Sequence, residues 1–285
     1  MATQLLDIDK EYRTEIEKNK YAFISANDYV VSDCLQQQKK QFHESWDNLP
    51  LDNHLKNNSS YRLRRFRYFY LVPNKKLLLP YPLTPYYQPA IINAYAEGAD
   101  RQFSVLPDDI AENEFMRQMI FNDVRQLPVS ENDKSKPWLL DVHQVRIKAS
   151  INQEGEPTLE GIHHDENDFV WIHLIQRKNV KGGVNTMYQN DGSPLESLTL
   201  NQCLDSIVLW DKYVMHGVST ITPDDMKHEA IRDIFLIGYS ICPDLKAPTG
   251  NATLDYKQLK SNINPPVLRN PIHQQSYQRS DTRYD

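Results

Sequence analysis

The chain has few cysteines, no long apolar run and no excess of positive charge, and each absence removes a class of protein. Cys34, Cys203 and Cys242 are odd in number and far apart, so neither a disulfide framework nor a zinc cluster is indicated. Buried thiols in a reducing compartment are the expectation. No apolar stretch approaches the ~20 residues that span a bilayer. Met1 to Lys20 is studded with charges and lacks the apolar segment of a secretory leader. A cytoplasmic protein with no membrane contact is expected. The formal charge of −6 argues against a general nucleic-acid binder. No internal repeat is visible.

What is present suits a folded enzyme-sized chain. Its 285 residues are 40% hydrophobic and 25% charged, enough for a sizeable core. A single domain in three parts is expected: a helical part over 1–60, a β-rich core over 61–245 and a surface tail over 246–285. In the first part, Lys20 to Ser25 reads as a short strand. Val31, Leu35, Phe42, Trp46 and Leu49 then recur at helical spacing up to Pro50. Tyr61 to Val72 mixes arginines and aromatics in near alternation, the pattern of a solvated edge strand. Such interleaving can bind nucleic acid, but the run is short and the chain acidic. Pro80 to Pro89 reads as a loop. Asp108 to Leu127 reads as one helix, with Phe115, Met116, Met119, Ile120 and Val124 on its packed face.

After Pro137 the pattern changes to short β-branched and aromatic runs: Leu139–Ala149, Phe169–Gln176, Val184–Tyr188, Leu198–Leu200, Ile207–Trp210, Val214–Ile221 and Ile234–Ser240. Turn residues, not helices, separate them. A mainly β sandwich or jelly roll with flanking helices follows.

Chemistry concentrates at His163, Asp165, His216 and Arg232. Alternate residues of a strand share a face, so His163 and Asp165 project together while His164 points away. A later strand can bring His216 alongside. Two histidines and one carboxylate form the facial set that binds non-haem Fe(II) and leaves positions open. Arg232 heads an apolar run, where a buried guanidinium needs a matching anion; the distal carboxylate of 2-oxoglutarate would serve. A surface pair with Asp233 or Glu229 is the plainer alternative. A zinc hydrolase could use the same three ligands, but would have no particular need of Arg232. Among the other histidines, His173 sits on a strand and is the next candidate ligand. His143, His228 and His273 lie in polar surroundings that suit the surface. Cys203 has no partner for nucleophilic work.

In order and spacing, His163-His164-Asp165-Glu166-Asn167-Asp168-Phe169, Arg177 to Gly183, His216-Gly217-Val218 and Arg232-Asp233 resemble the bacterial 2-oxoglutarate/Fe(II) dioxygenases typified by isoleucine 4-hydroxylase. The resemblance extends upstream through Asn93-Ala94-Tyr95, Arg101-Gln102-Phe103 and Val142 to Arg146, and covers roughly Tyr61 to Ser240. It implies a double-stranded β-helix, with His163, Asp165 and His216 as iron ligands and Arg232 as the 2-oxoglutarate anchor. Where the family often has Gly-Gly-Glu, this chain has Gly182-Gly183-Val184. Implied too are O2 as cosubstrate, ascorbate as an assay reductant, and hydroxylation of a free L-amino acid with release of succinate and CO2. Retention of Asp165 favours hydroxylation over halogenation and leaves desaturation open. Tyr188 is a candidate second contact for the cosubstrate carboxylate. Arg101 or Arg146 is expected to bind the substrate carboxylate beneath a lid formed by Tyr61 to Phe103. The sequence allows a homodimer without demanding one. A peptide or protein side-chain hydroxylase and a non-catalytic metal-binding jelly roll remain as alternatives.

Overall fold

The computed structural model describes residues 6–55, 59–82, 85–87 and 100–249. Helices α1 (Arg13–Asn19), α2 (Gln36–Glu44) and α3 (Glu114–Gln126) flank the sheets. The strands that matter for the site are β1 (Tyr21–Ile24), β2 (Arg62–Val72), β3 (Leu77–Pro80), β4 (Trp138–Ala149), β5 (Phe169–Lys178), β6 (Val180–Gly182), β7 (Asn185–Tyr188), β8 (Pro194–Leu198), β9 (Ser206–Leu209), β10 (Met215–Val218), β11 (Ile221–Pro223) and β12 (Ala230–Ile241). A large antiparallel sheet runs β1-β9-β5-β12-β4-β2-β3. The smaller sheet runs β8-β7-β10, with β6 and β11 pairing beside it.

The two faces of the large sheet bury different material, because side chains alternate along each strand. One face packs on the helices: Trp171, Phe235, Ile237 and Tyr239 meet Phe42, Trp46, Phe115 and Met119. The other face is closed over by the smaller sheet, with Val170, Ile172, Ile207 and Ile234 packing against Met187. Two antiparallel sheets packed face to face in this way form a jelly roll, and the candidate site lies between them.

Several expectations are corrected. Val31 belongs to a strand, Tyr29–Val31, and α2 begins only at Gln36. Asp108 to Leu127 is broken in two, because Asn113 leaves the helical conformation and caps α3 by accepting the Met116 N–H at 3.1 Å. The strand expected at Leu198–Leu200 runs instead over Pro194–Leu198, and Val214–Ile221 is divided into β10 and β11. The β2 strand is internal, paired on one side with β4 and on the other with β3 and the short Ser104–Val105 strand. Being internal, it is neither a solvated edge nor part of a lid. Cys242 is buried, but Cys34 and Cys203 are exposed. Most of the expected tail, from residue 250, and much of the expected lid lie outside the described residues. Among the described residues no helix is long and apolar enough to cross a membrane.

Candidate metal centre and cosubstrate pocket

His163 and His216 are joined backbone to backbone, each N–H donating to the other's carbonyl at 3.0 Å. Their rings therefore lie side by side, tilted at 49° with 4.4 Å between centroids. Asp165, two residues on, brings its carboxylate between them: Oδ1 is 3.5 Å from His163 Nε2, and Oδ2 is 3.6 Å from His216 Nε2. One ligand atom from each residue falls within a 4.8 Å cluster. Bonds of ~2.1 Å at right angles, usual for such ligands on an octahedral divalent ion, would set neighbouring ligand atoms ~3 Å apart. A small contraction of this cluster gives that geometry. Asp165 Oδ2 is sealed from solvent with no hydrogen bond among the described residues, as a ligand atom should be. His163 Nδ1 donates to the Gly161 carbonyl at 3.0 Å, which turns Nε2 toward the cluster. The residues present fit an iron ion.

The charges agree with this. Burial opposes charge on His163, but the Glu160 and Asp165 carboxylates outweigh it and push its pKa up to about 10. Burial, reinforced by charged His163, pushes His216 down to about 4. Burial also opposes charge on Asp165, yet the two histidines hold it well below the usual carboxylate range. The Glu160 and Asp165 carboxylates thus favour positive charge at the cluster.

A polar brace fixes the turn that carries Asp165. Asp211 accepts the Asp165 N–H through Oδ1 and the Asn167 N–H through Oδ2, both at 3.0 Å. Asn167 in turn donates to Asp141 at 3.1 Å and accepts from the Ser240 hydroxyl at 2.8 Å. The brace needs Gly238: a Cβ there would lie 2.0 Å from Asn167 Nδ2 and 2.2 Å from Asp141 Oδ1.

Arg232 also faces the interior, only 3% exposed, and donates to Asn185 Oδ1 at 3.2 Å. Its Nε is buried with no hydrogen-bond partner among the described residues. The plainer surface pair is excluded, since Asp233 binds Arg146 and Glu229 binds Lys148. Asn185 and Met187 share one face of β7, ~7 Å apart along the strand, and Met187 pairs with His216. Arg232 and the ligand cluster therefore lie on one line along the interior.

The other expected residues divide. Tyr188 alternates with Met187 and so lies on the opposite face of β7 from His216; Asn185 is the residue at Arg232. Arg146 projects to the helical side of β4, where Asp233 accepts from its Nε and Nη2, each at 2.7 Å. It is committed to a structural ion pair and cannot serve as the substrate contact. His173 also faces the helices, between Asp123 at 3.1 Å and Ser206 at 2.8 Å, which removes it as a spare ligand. His164 turns toward Asp211, as expected. His228 is exposed, bonded to Asp225, and His273 lies outside the described residues. His143 is not a surface residue: it is 1% exposed and stacked on Phe66.

Arg101 does reach the interior, its guanidinium 5.0 Å from the Tyr86 ring and 5.4 Å from that of Phe103. Beside it stands Arg64, which no motif in the sequence singles out, 4.4 Å from the Phe103 ring. Arg64 donates to His143 Nδ1 at 2.8 Å. Glu160 is likewise unmarked by any motif; its Oε1 is 3.6 Å from His163 Nε2. Strand alternation was the available signal for Arg64, which shares a face with Arg62 and Phe66. No comparable signal pointed to Glu160.

Comparison with known proteins completes the assignment. The model of the 2OG-Fe dioxygenase family matches residues 43–238, and the chain belongs to that family. It is a 2-oxoglutarate-dependent iron dioxygenase, using Fe(II), 2-oxoglutarate and O2. The 3(1)-hydroxy-L-isoleucine 4-dioxygenase of Pantoea ananatis is 26% identical over 242 residues, 80% of this chain and 95% of that protein. The L-isoleucine-4-hydroxylase of Bacillus thuringiensis is 26% identical over 231 residues, 79% and 95% respectively. The crystal structure of IDO from Bacillus thuringiensis superposes with a TM-score of 0.65 at 22% identity, covering 80% of this chain and 93% of that one. It shares the fold.

Proposed function

We propose that the protein hydroxylates an unactivated C–H bond of a free L-amino acid, with His163, Asp165 and His216 holding Fe(II) and Arg232 holding 2-oxoglutarate. The observation that carries this is the alignment, along one interior line, of a three-ligand cluster and a buried guanidinium that pairs with no carboxylate of the described residues. The names of the two relatives, both hydroxylating isoleucine or its hydroxy derivative, support the substrate class. Bound iron, with 2-oxoglutarate and O2, supplies the oxidation that replaces hydrogen by hydroxyl while 2-oxoglutarate becomes succinate and CO2.

The chain's part is to bind, orient and exclude water. A buried amino acid needs a match for both its carboxylate and its ammonium. Arg64 and Arg101, stacked on Phe103 and Tyr86, are assigned to the carboxylate. Glu160 is assigned to the ammonium. Asp141 is less suited, because its oxygens already accept from Gly238 N–H and Asn167. The aromatic lining of Phe66, Tyr86 and Phe103 keeps the pocket dry. A cytoplasmic setting accords with the three free thiols.

The test is incubation of the protein with Fe(II), ascorbate and 2-oxoglutarate against free L-amino acids, beginning with isoleucine and hydroxyisoleucine. Mass spectrometry should show a gain of one oxygen with matching succinate. The same residues capped at both ends should be inert. Turnover of capped peptides at a comparable rate would overturn the reading in favour of a peptide hydroxylase.

A further inference from the structure

Two arginines lie side by side at one end of the jelly roll, Arg232 buried and Arg177 half-buried. Arg177 and Arg232 are direct partners in the antiparallel pairing of β5 with β12, so their side chains share a face. The same segment of backbone covers both. A Cβ on Gly183 would lie 3.1 Å from Arg177 Nη1 and 3.3 Å from Arg232 Cδ.

Each guanidinium is held by neutral acceptors at one end and left open at the other. Arg177 Nη2 donates to the carbonyls of Val180 at 3.1 Å and Gly182 at 2.8 Å. Arg232 Nη2 donates to Asn185. Arg177 Nη1 and Arg232 Nε, both sealed from solvent, have no hydrogen bond among the described residues. No carboxylate of the described residues pairs with either side chain. Burial, with the charge of Arg177 added, pulls Arg232 down to about 9. Like charges directly opposite on a strand pair are destabilising, and more so out of water. An anion placed between them would relieve that repulsion and satisfy both open N–H groups.

We propose that Arg177 is a second cationic contact for the distal carboxylate of 2-oxoglutarate, its Nη1 facing the anion that Arg232 also holds. The inference rests on Arg232 as the cosubstrate anchor and adds a specificity-determining residue to it. A paired site should prefer a dicarboxylic 2-oxoacid strongly over a monocarboxylic one such as 2-oxobutyrate. It should also admit small anions as competitors.

The experiment is anaerobic equilibrium binding of 2-oxoglutarate to the Fe(II)-loaded protein, together with the Tm without 2-oxoglutarate. The variants are Arg177→Gln, Arg177→Lys and Arg232→Gln. Loss of one charge-assisted hydrogen bond predicts binding weaker by roughly 10- to 100-fold in Arg177→Gln. The Tm of that variant without 2-oxoglutarate should hold or rise, since a repulsion is removed. Wild-type affinity in Arg177→Gln, with Arg232→Gln impaired, would make Arg177 only a tether for its own loop and overturn this inference alone. Wild-type affinity in both variants would overturn the anchor itself. If affinity and Tm fall together in Arg177→Gln, Arg177→Lys decides: recovery of binding supports the role of charge, and no recovery refutes it.

Discussion

Asp211 holds Asp165 from behind. Its Oδ1 accepts the Asp165 backbone N–H at 3.0 Å while Oδ2 accepts that of Asn167, so the turn is clamped from one carboxylate. Asp211 is 1% exposed and lies too far along the chain to be found from any local motif. Outer groups that orient ligands in this way commonly change metal affinity 10- to 100-fold when removed. Asp211→Asn is expected to weaken Fe(II) binding within that range while all three ligands remain. Metal titration checks this, and unchanged affinity would show that the turn is held by other means.

The two faces of the large sheet predict opposite outcomes for two arginines, Arg146 on β4 and Arg64 on the neighbouring β2. Arg146 binds Asp233 bidentately on the helical side, and leaving a buried charge unpaired costs about 3–5 kcal/mol. Arg146→Ala should therefore lower stability in urea by an amount of that order, with little change in amino-acid KM for the protein that remains folded. Arg64→Ala should do the reverse, raising amino-acid KM at least tenfold with the KM for 2-oxoglutarate little changed. Steady-state kinetics on both variants checks the pair.

His143 sets an acid limit on stability. Burial, with the Arg64 charge added, pushes its pKa down to about 4 from an ordinary 6.5. Between those values the unfolded chain binds more protons than the folded one, so stability falls as pH drops from 6.5 toward 4. The ceiling for this one group is about 3 kcal/mol. His43, also pushed down to about 4 by burial, adds to the same limb. His143→Gln should flatten the dependence measured by urea unfolding at several pH values; an unchanged slope would contradict the assignment.

The parts of the site legible in the sequence were those set by local alternation. His163 and Asp165 share a face because they are two apart, and Arg232 stood out as a charge at the head of an apolar run. What failed depends on register between distant strands. Arg146 could be placed on the helical face only once its pairing with Asp233 was known. Arg177, named only within the Arg177–Gly183 resemblance, has no inward role by simple alternation, because the pairing of β5 shifts between Leu174 and Gln176. That bulge reverses the alternation and turns Arg177 inward. Tyr188 was favoured for its hydroxyl, whereas the face that mattered carried Asn185. Arg64 was legible in principle, since Arg62, Arg64 and Phe66 alternate, but an internal β2 could not be told from an edge strand. Asn113 broke the long helix because its side chain offers a cap that helical periodicity does not reveal.

The central claim is that His163, Asp165 and His216 form the iron site, and single alanine substitutions test it most directly. Succinate formation from 2-oxoglutarate would be measured with Fe(II) present, alongside Fe(II) binding and the Tm of each variant. A facial site has no spare ligand, so each variant should lose iron-dependent succinate formation while keeping a cooperative unfolding transition. Wild-type succinate formation in His216→Ala would contradict the account.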